Sequence, residues 1–377
     1  MFTRDHDQQL FADTTARFLD DHFPISRVRE LARRQRSFEP RIWTKSADLG
    51  WTALLVPETA GGGSISENGL LDLVIVAAEF GHRAAPGPLF GTAVVAAALG
   101  RWGTPEQRAT TLSRLVAGED VTAWAYTSTV DPIGSPCDGV SASLRGDQVI
   151  LNGTLPYVEE AAAAACILVT AQGDEGLTHY LVPTCASSID IQPLQSLDMT
   201  RRYYHVVLRD VAVTTSDQVG EPGTAADHDA ALLDLVAVLQ LAEVTGAMQT
   251  AFEMTLQWTA DRYSFGRPLA SYQEIKHRMA DMKMYLEASE AVTRRAAAAV
   301  AEGAPDAAAW VSAGQAYVGK YGPELIQDCI QMHGGIGVTF EHDLHVLLRR
   351  AVVDAQLFGT PGQFARRLAV LLDDGDE

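Results

Sequence analysis

The spacing of apolar residues changes twice along the 377-residue chain, and this change constrains the fold more than any other sequence feature. In the first third, apolar residues such as Leu10, Phe11 and Phe18 recur at helical spacing. Short apolar runs separated by turn signals follow, and the pattern then becomes helical again to the end. The predicted domains are an all-helical region at 1–120, a β domain at 121–222 and a helical region at 223–377.

The middle region predicts a small antiparallel β-barrel or sandwich, because its runs have the length and turn spacing of strands. The predicted strands are 149–158, 166–170, 179–183, 188–194 and 204–213.

The last region predicts long helices that assemble into a bundle, since its alanine-rich stretches favour helix. The predicted helices are 226–263, which contains no proline, 271–303 and 305–335. The fold class is therefore α+β, mostly α: an N-terminal helical domain, a β-barrel and a C-terminal bundle.

The formal net charge of −19 makes nucleic acid an unfavourable partner, because the chain and a phosphate backbone repel each other. A ligand that carries phosphates would need local basic pockets. The start of the chain lacks a signal-peptide pattern and no apolar run reaches membrane-spanning length, so we expect a cytoplasmic protein without a membrane span. The cysteines match no zinc or redox spacing and are expected to be free thiols: Cys137, Cys166, Cys185 and Cys329.

Two short motifs in the last region combine charged or amide side chains with glycines. The first is RYSFGRPL from Arg262, with Gln273 eleven residues after Arg262, and the second is QMHGGIG from Gln331. A guanidinium beside backbone that approaches a ligand closely makes an anion site. The alternative is that Arg262 caps one helix end and that Gly334 simply terminates another.

The chain resembles the acyl-CoA dehydrogenase family over almost its whole length. The resemblance rests on RxxFGxPLxxxQxIKHxxADM from Arg262, on QxHGGIGxTxEHDLH from Gln331 and on LDMTRRYYHVVLRDV at 197–211. VPETAGGG at 56–63 and GTPEQR at 103–108 are weaker matches. The EHDLH form is most similar to bacterial members that assemble from two different subunits.

The resemblance implies that the C-terminal region is a four-helix bundle. It also implies FAD, shared across a subunit interface, and a dimer of dimers (α2β2) with a homologous catalytic acyl-CoA dehydrogenase subunit. Its side chains would hold the ADP end of a FAD that is bound mainly by the neighbouring subunit. The cofactor-binding positions that match are Arg262, Ser264, Phe265, Gln273, Gln331, Gly334 and Gly335.

The family's reaction removes an α-proton from an acyl-CoA thioester while a hydride leaves the β-carbon for the flavin. The weakly acidic proton requires a carboxylate base, which the family supplies from one of two positions. These positions correspond here to Phe358 and Val236, and neither side chain accepts a proton. The substrate-binding arginine that often neighbours the second position is Ala237, while nearby Asp234 would point differently along the helix. No catalytic residue is therefore assigned.

The side that would face the chain's own flavin ring is also altered. A family loop that lies against flavin and substrate corresponds to Thr129–Pro136 and is one residue out of register. The strand end that contacts the ring reads Tyr157-Val158-Glu159, after Pro156. A carboxylate at the last of these positions would disfavour an anionic reduced flavin.

The retained and lost residues favour a non-catalytic subunit that completes a partner's FAD site. One alternative is a self-sufficient flavoenzyme with a displaced base, for which the candidates are Glu243, Asp354 and Glu159. Glu243 is otherwise expected in helix packing or a polar seam, and Asp354 in an exposed pair with Arg349 or Arg350. A flavin-free scaffold subunit is the other alternative. The resembling heteromeric enzymes act on bulky CoA thioesters such as steroid side chains, so the resemblance places the chain in β-oxidation of lipids or steroids.

Several residues have simpler structural interpretations. His333 is expected to be packed or bonded to backbone, and Trp258 and Phe252 to lie in the core. His342 and His345 have the spacing of a metal pair. Because the resembling family uses no metal, a structural role is predicted for them and no metal site is assigned.

Overall fold

The computed structural model describes residues 4–126 and 139–373. The altered loop Thr129–Pro136 and Cys137 lie outside the described residues. Within the described part, three regions follow one another in the predicted order of helices, sheet and helices.

The amino-terminal region is helical, as predicted. Its helices are α1 (His6–His22), α2 (Ile25–Arg33), α3 (Pro40–Ala47), α4 (Gly69–Arg83), α5 (Leu89–Trp102), α6 (Pro105–Gln107) and α7 (Ser113–Val116). Helix α1 begins at a capping box, in which the Asp5 side chain accepts a hydrogen bond from the Gln8 backbone N–H at 2.8 Å. Helices α4 and α5 are almost wholly buried and form the centre of this region.

The middle region contains every predicted strand and some that the sequence did not reveal. Its strands are β1 (Thr122–Ala125), β2 (Val140–Arg145), β3 (Gln148–Glu159), β4 (Cys166–Gly173), β5 (Gly176–Pro183), β6 (Ile189–Pro193), β7 (Tyr203–Thr214) and β8 (Gln218–Val219). The strand order is β6-β7-β3-β2-β4-β5-β8, with β1 beside β4.

This sheet differs from the predicted antiparallel barrel in two respects. It is open, because β6 and β8 lie at opposite ends of the strand order. It is also mixed, because β1 and β2 pair with β4 in parallel while the remaining pairs are antiparallel. The parallel pair with β1 arises where the chain enters the sheet from the amino-terminal helices and runs in the same direction as β4. The sheet encloses an apolar core of its own.

The carboxyl-terminal region has the predicted long helices. They are α8 (Ala225–Asp261), α9 (Gln273–Glu302), α10 (Ala307–His333), α11 (Leu344–Leu357) and α12 (Pro361–Asp373), with a hairpin of β9 (Tyr263–Ser264) and β10 (Arg267–Pro268) after α8. By length and composition α8 would suffice to cross a membrane, contrary to the expectation that no apolar run reaches that length. In its most apolar 18-residue window 89% of the residues are buried inside the protein, as in a core helix.

Two glycines allow α4 and α8 to approach closely. A Cβ atom on Gly81 would lie 1.9 Å from the backbone oxygen of Glu243, and one on Gly246 would lie 2.2 Å from that of Ala78. Real Cβ atoms do not tolerate such distances, so the crossing requires glycine on both helices. The close approach brings Glu243 to the junction of the domains.

A buried polar group joins α8 to the sheet. The His179 Nε2 atom lies 2.9 Å from Asp229 Oδ1, and the Thr170 hydroxyl donates to Asp229 Oδ2 at 2.8 Å. Because His179 and Asp229 are almost wholly excluded from solvent, these bonds satisfy a carboxylate that would otherwise be costly to bury.

Candidate functional site

The first predicted motif forms a rigid, protruding hairpin at the end of α8. Phe265 and Gly266 have φ angles of 50° and 81° at its tip, and glycine readily adopts such a conformation. The Tyr272 hydroxyl donates to the backbone oxygen of Ser264 at 2.8 Å, while the Arg267 guanidinium lies over the Tyr272 ring at 3.9 Å. The Phe265 side chain is 96% exposed as a result.

The second predicted motif is an open turn at the end of α10. Gly334 has φ of 66°, and added Cβ atoms on Gly334 and Gly335 would meet nothing within 4 Å. The backbone of this turn is thus accessible to a ligand. Gln331 is exposed beside it.

Aromatic stacking brings the two motifs together. The rings of Trp258, near the end of α8, and His333, the last residue of α10, stack at 5.1 Å between centroids. His333 is buried and its Nδ1 lies 2.8 Å from the backbone oxygen of Cys329, which confirms the predicted packing role. Phe252 is buried as predicted, whereas Trp258 is only half-buried.

The motif residues fit the ADP end of FAD. Arg262, Phe265, Gln273, Gln331 and both glycines are exposed, while Ser264 is half-exposed. No carboxylate pairs with Arg262 in the described part of the chain, although the chain is strongly acidic. The Trp258 Nε1–H is buried without an acceptor among the described residues. An uncompensated cation beside open glycine backbone is suited to a diphosphate.

The two expected base positions line one and the same cavity. Phe358 and Val236 are 122 positions apart in sequence, and both border a small space of about 20 Å³. The Trp124 ring lies 5.5 Å from Phe358 and 4.9 Å from Tyr126, so aromatic side chains fill the surroundings. Room for roughly one water molecule remains, which is too little for an acyl chain.

A buried ion cluster centred on Arg201 lies behind this cavity. The guanidinium contacts Glu159 at 3.2 Å, Asp354 at 2.9 Å and Glu243, and it stacks over the Phe90 ring at 4.5 Å. Arg201 is 2% exposed.

A second guanidinium, that of Arg350, completes the cluster. It donates to Asp198 at 2.7 Å and also contacts Glu243 and Thr200. It further donates to the backbone oxygen of Ala85, at the end of α4, at 3.2 Å. The six charged members of this Arg201 cluster are Arg201, Arg350, Glu159, Glu243, Asp198 and Asp354.

The Arg201 cluster contains four carboxyl groups but two guanidiniums. Burial raises the pKa of Glu159, and it raises the pKa of Asp354 well above the ordinary range. The pKa of Asp198 is lowered: desolvation opposes ionisation there, but the charges of Arg350 and Arg201 outweigh it. The raised pKa values of Glu159 and Asp354 favour their neutral forms, which is the direction that reduces the excess of negative charge in the interior.

The candidate displaced bases all belong to this cluster. Asp354 is buried and pairs with Arg201, so the expectation of an exposed pair with Arg349 or Arg350 is wrong. Glu243 is a fully buried ion-pair residue, which agrees with the predicted polar seam rather than with simple helix packing. Of the three, only Glu159 borders the cavity. Asp234 points elsewhere and pairs with Arg367 at 2.7 Å.

An open cleft adjoins the small cavity on the side of Tyr157. Its volume is about 360 Å³, and it shares Tyr157, Tyr203 and Leu357 with the cavity. Gln195 and Gln356 add polar groups to its wall.

The sequence patterns that describe the acyl-CoA dehydrogenase family match both helical ends of this fold. The family's N-terminal domain matches residues 5–119 and its C-terminal domain matches residues 199–368. The chain belongs to the acyl-CoA dehydrogenase family, whose members are flavin-dependent oxidoreductases.

Individual relatives support this assignment over the full length. The acyl-CoA dehydrogenase IpdE2 of Mycobacterium tuberculosis is 29% identical over 367 residues, which cover 97% of each chain. The crystal structure of the ChsE4-ChsE5 complex from the same species has a TM-score of 0.88 at 25% identity and covers 99% of each chain. A variant of the Tcur3481-Tcur3483 steroid acyl-CoA dehydrogenase has a TM-score of 0.86 at 25% identity and covers 98% of each chain.

Proposed function

We propose that this chain is the non-catalytic subunit of a heteromeric, FAD-dependent acyl-CoA dehydrogenase. It would complete the FAD site of a homologous catalytic subunit, and the two would assemble as α2β2. The partner would supply the carboxylate base and bind the acyl-CoA.

The observation that carries this proposal is the small cavity between Phe358 and Val236. Both positions that supply the base in the family meet there, and both are apolar. The remaining volume of about 20 Å³ leaves no space for an acyl chain, even if another carboxylate acted as base.

The motifs around Arg262 and Gly334 support the second half of the proposal. They are exposed and lack acidic partners within the described chain, which is the state expected of residues that await a ligand from outside. Two of the similar structures are of paired proteins, ChsE4-ChsE5 and Tcur3481-Tcur3483. By analogy with them, the partner would be a second member of the same family.

In the assembled enzyme FAD would supply the hydride acceptor. Arg262 would neutralise diphosphate charge, and the backbone N–H groups at Gly334 and Gly335 would donate to phosphate oxygens. Gln273 and Gln331 would bond the adenosine half, while Phe265 would cover it from solvent. The task of this chain is thus to bind and orient the cofactor.

The proposal is tested by expressing the chain alone and together with a homologous subunit that carries glutamate at either base position. We expect one FAD per heterodimer in the co-expressed complex, a native mass of α2β2, and little flavin with the chain alone. Arg262→Ala should lower the flavin content of the complex, whereas Arg295→Ala, at an exposed pair with Asp306, should not. Equal flavin loading of the isolated chain would contradict the proposal, and a colourless complex would favour the flavin-free scaffold.

One observation favours a second candidate, the self-sufficient enzyme with a displaced base. Glu159 borders the cavity, and burial raises its pKa. Against this reading, its carboxylate is engaged by Arg201 at 3.2 Å. If the isolated chain oxidises an acyl-CoA and Glu159→Gln abolishes this activity, the second candidate is correct.

The substrate class follows from the relatives. One similar structure is described as a steroid acyl-CoA dehydrogenase, so we propose a bulky CoA thioester such as a steroid side chain for the complex. The corresponding place is in cytoplasmic lipid or steroid β-oxidation. Turnover of the purified complex with straight-chain and steroid-derived CoA thioesters tests this choice.

A further inference from the structure

A continuous column of contacting rings, formed by Trp258, His333 and His342, lies beneath both exposed motifs. The Arg262 guanidinium lies 5.8 Å from the centre of the Trp258 ring. Trp258 stacks on His333 with an angle of 17° between the ring planes. The His342 ring packs edge-on against the His333 ring, with 4.6 Å between the ring centroids. The ends of α8 and α10 are thereby joined at the point where the motifs begin.

The column fixes orientation at both ends. At one end, an indole face is the best aromatic surface for a guanidinium, and it limits the directions that exposed Arg262 adopts. At the other end, His333 immediately precedes Gly334, so the orientation of its ring is coupled to the backbone of the turn. The bond from His333 Nδ1 to the Cys329 oxygen holds that ring in place.

The amino-terminal domain holds the far end of the column. Arg29 on α2 donates to the backbone oxygen of His342 at 3.0 Å and to the Asp343 carboxylate at 2.8 Å. The segment after the glycine turn is therefore anchored independently of the hairpin. Movement of Trp258 or His333 would therefore change the position of the hairpin relative to this anchored segment.

We infer that Trp258 and His333 are positioning residues that hold Arg262 and the Gly334-Gly335 turn in register for the diphosphate of one FAD molecule. This inference rests on the proposed function, since it concerns the same cofactor site. A single diphosphate would bond both motifs at once, so a binding site of this kind would require their relative placement to be set in advance.

The test compares FAD and FMN binding by the apo-complex of this chain with its catalytic partner, followed by flavin fluorescence. FMN lacks the adenosine half, so a positioning effect at the ADP end should appear for FAD alone. We expect Trp258→Ala to weaken FAD binding about tenfold, which is the range of one cation–π contact with its stacked neighbour, and to leave FMN binding unchanged. Trp258→Phe, which retains a ring, should recover most of the FAD affinity.

The chain offers a matched control in Trp310, which forms an analogous pair with Arg295 at 5.2 Å, away from both motifs. Trp310→Ala should leave FAD binding unchanged. His333→Phe keeps the stack and His333→Ala removes it, so their difference in FAD affinity provides a second measure if Trp258→Ala does not fold.

The outcomes separate the two proposals. If the wild-type complex binds no FAD, the proposed function fails and the positioning role fails with it. If the wild-type complex binds FAD and the alanine variants bind it equally tightly, only the positioning role is overturned. Equal losses of FAD and FMN affinity would also overturn it, since they indicate a general structural defect.

Discussion

Replacement of Arg201 by methionine tests whether the Arg201 cluster holds the folded chain together. Arg201 is 2% exposed and contacts the carboxyl groups of Glu159, Glu243 and Asp354. Methionine preserves much of the apolar length of the side chain but donates no hydrogen bond. The Arg201→Met variant therefore leaves three carboxyl groups in a dry interior with Arg350 as the remaining cation of the cluster.

The expected cost is large, because an uncompensated buried charge loses both solvation and its partner. Removal of one member of a buried ion pair costs about 3–5 kcal/mol. For a protein of this size that corresponds to a fall in melting temperature of about 4–6 °C. The melting temperature of Arg201→Lys should lie between those of Arg201→Met and the wild type. The lysine ammonium supplies the charge but not the planar guanidinium that contacts several carboxylates.

The dependence on pH gives a second signature. Burial raises the pKa of Asp354 and of Glu159, so the folded protein binds these protons more tightly than the unfolded chain does. Stability from such groups is present at low pH and is lost as the pH rises through the folded pKa. Without Arg201 the pKa values of both carboxyl groups rise further. The loss of stability in Arg201→Met should therefore be smaller at pH 5 than at pH 8.

Thermal unfolding followed by circular dichroism measures these effects. The matched control is Arg278→Met, which breaks a partly exposed pair with Asp328 and should cost no more than about 1 kcal/mol. If Arg201→Met melts together with this control, or if its deficit grows at pH 5, the reasoning about the cluster is refuted.

Three further predictions concern single side chains. Burial raises the pKa of Glu160 to about 7, so wild-type stability should fall by up to about 3 kcal/mol between pH 4.5 and 7, and Glu160→Gln should flatten this slope in denaturant titrations. Phe358→Ala should cost about 3 kcal/mol of stability yet leave the turnover of the assembled complex intact; lost turnover would contradict the non-catalytic assignment. Asp229→Ala leaves His179 and Thr170 without their acceptor and should lower stability by roughly 2–3 kcal/mol in thermal unfolding.

The long helices and the main strands could be predicted because their signals are local. The apolar pattern of α8 persists over 37 residues, and α10 remains helical through Pro323 because packing on the bundle outweighs the lost hydrogen bond. Strand β1 was missed because it has only four residues, all of them buried, and so shows no alternation. The openness of the sheet was missed because strand pairing over long sequence separations leaves no local pattern.

The same distinction between local and long-range signals applies to the candidate site. The exposed motifs around Arg262 and Gln331 are contiguous in sequence, so residue types and spacing were sufficient to find them. The Arg201 cluster combines residues up to 195 positions apart, and its members look like ordinary surface charges when each is read alone. The one available signal was Arg201-Arg202 between a turn and an apolar strand, where a buried arginine demands carboxylate partners.

The Arg201 cluster adjoins the small cavity between Phe358 and Val236 and contacts all three regions of the chain. Arg350 on α11 bonds the backbone of Ala85 after α4, while Arg201 and Asp198 enter from the segment before β7, and Glu243 comes from α8. Such a cluster adds little net stability compared with an apolar core, but it penalises every arrangement in which its partners separate. It therefore fixes the helical regions relative to one another, as does the contact of Arg29 with the loop after Gly334. In the proposed heteromer the partner binds the acyl chain, so this chain would need no acyl cavity of its own. Aromatic rings would then occupy that space, while the adjoining ion cluster would hold the regions that present Arg262 to the partner's cofactor.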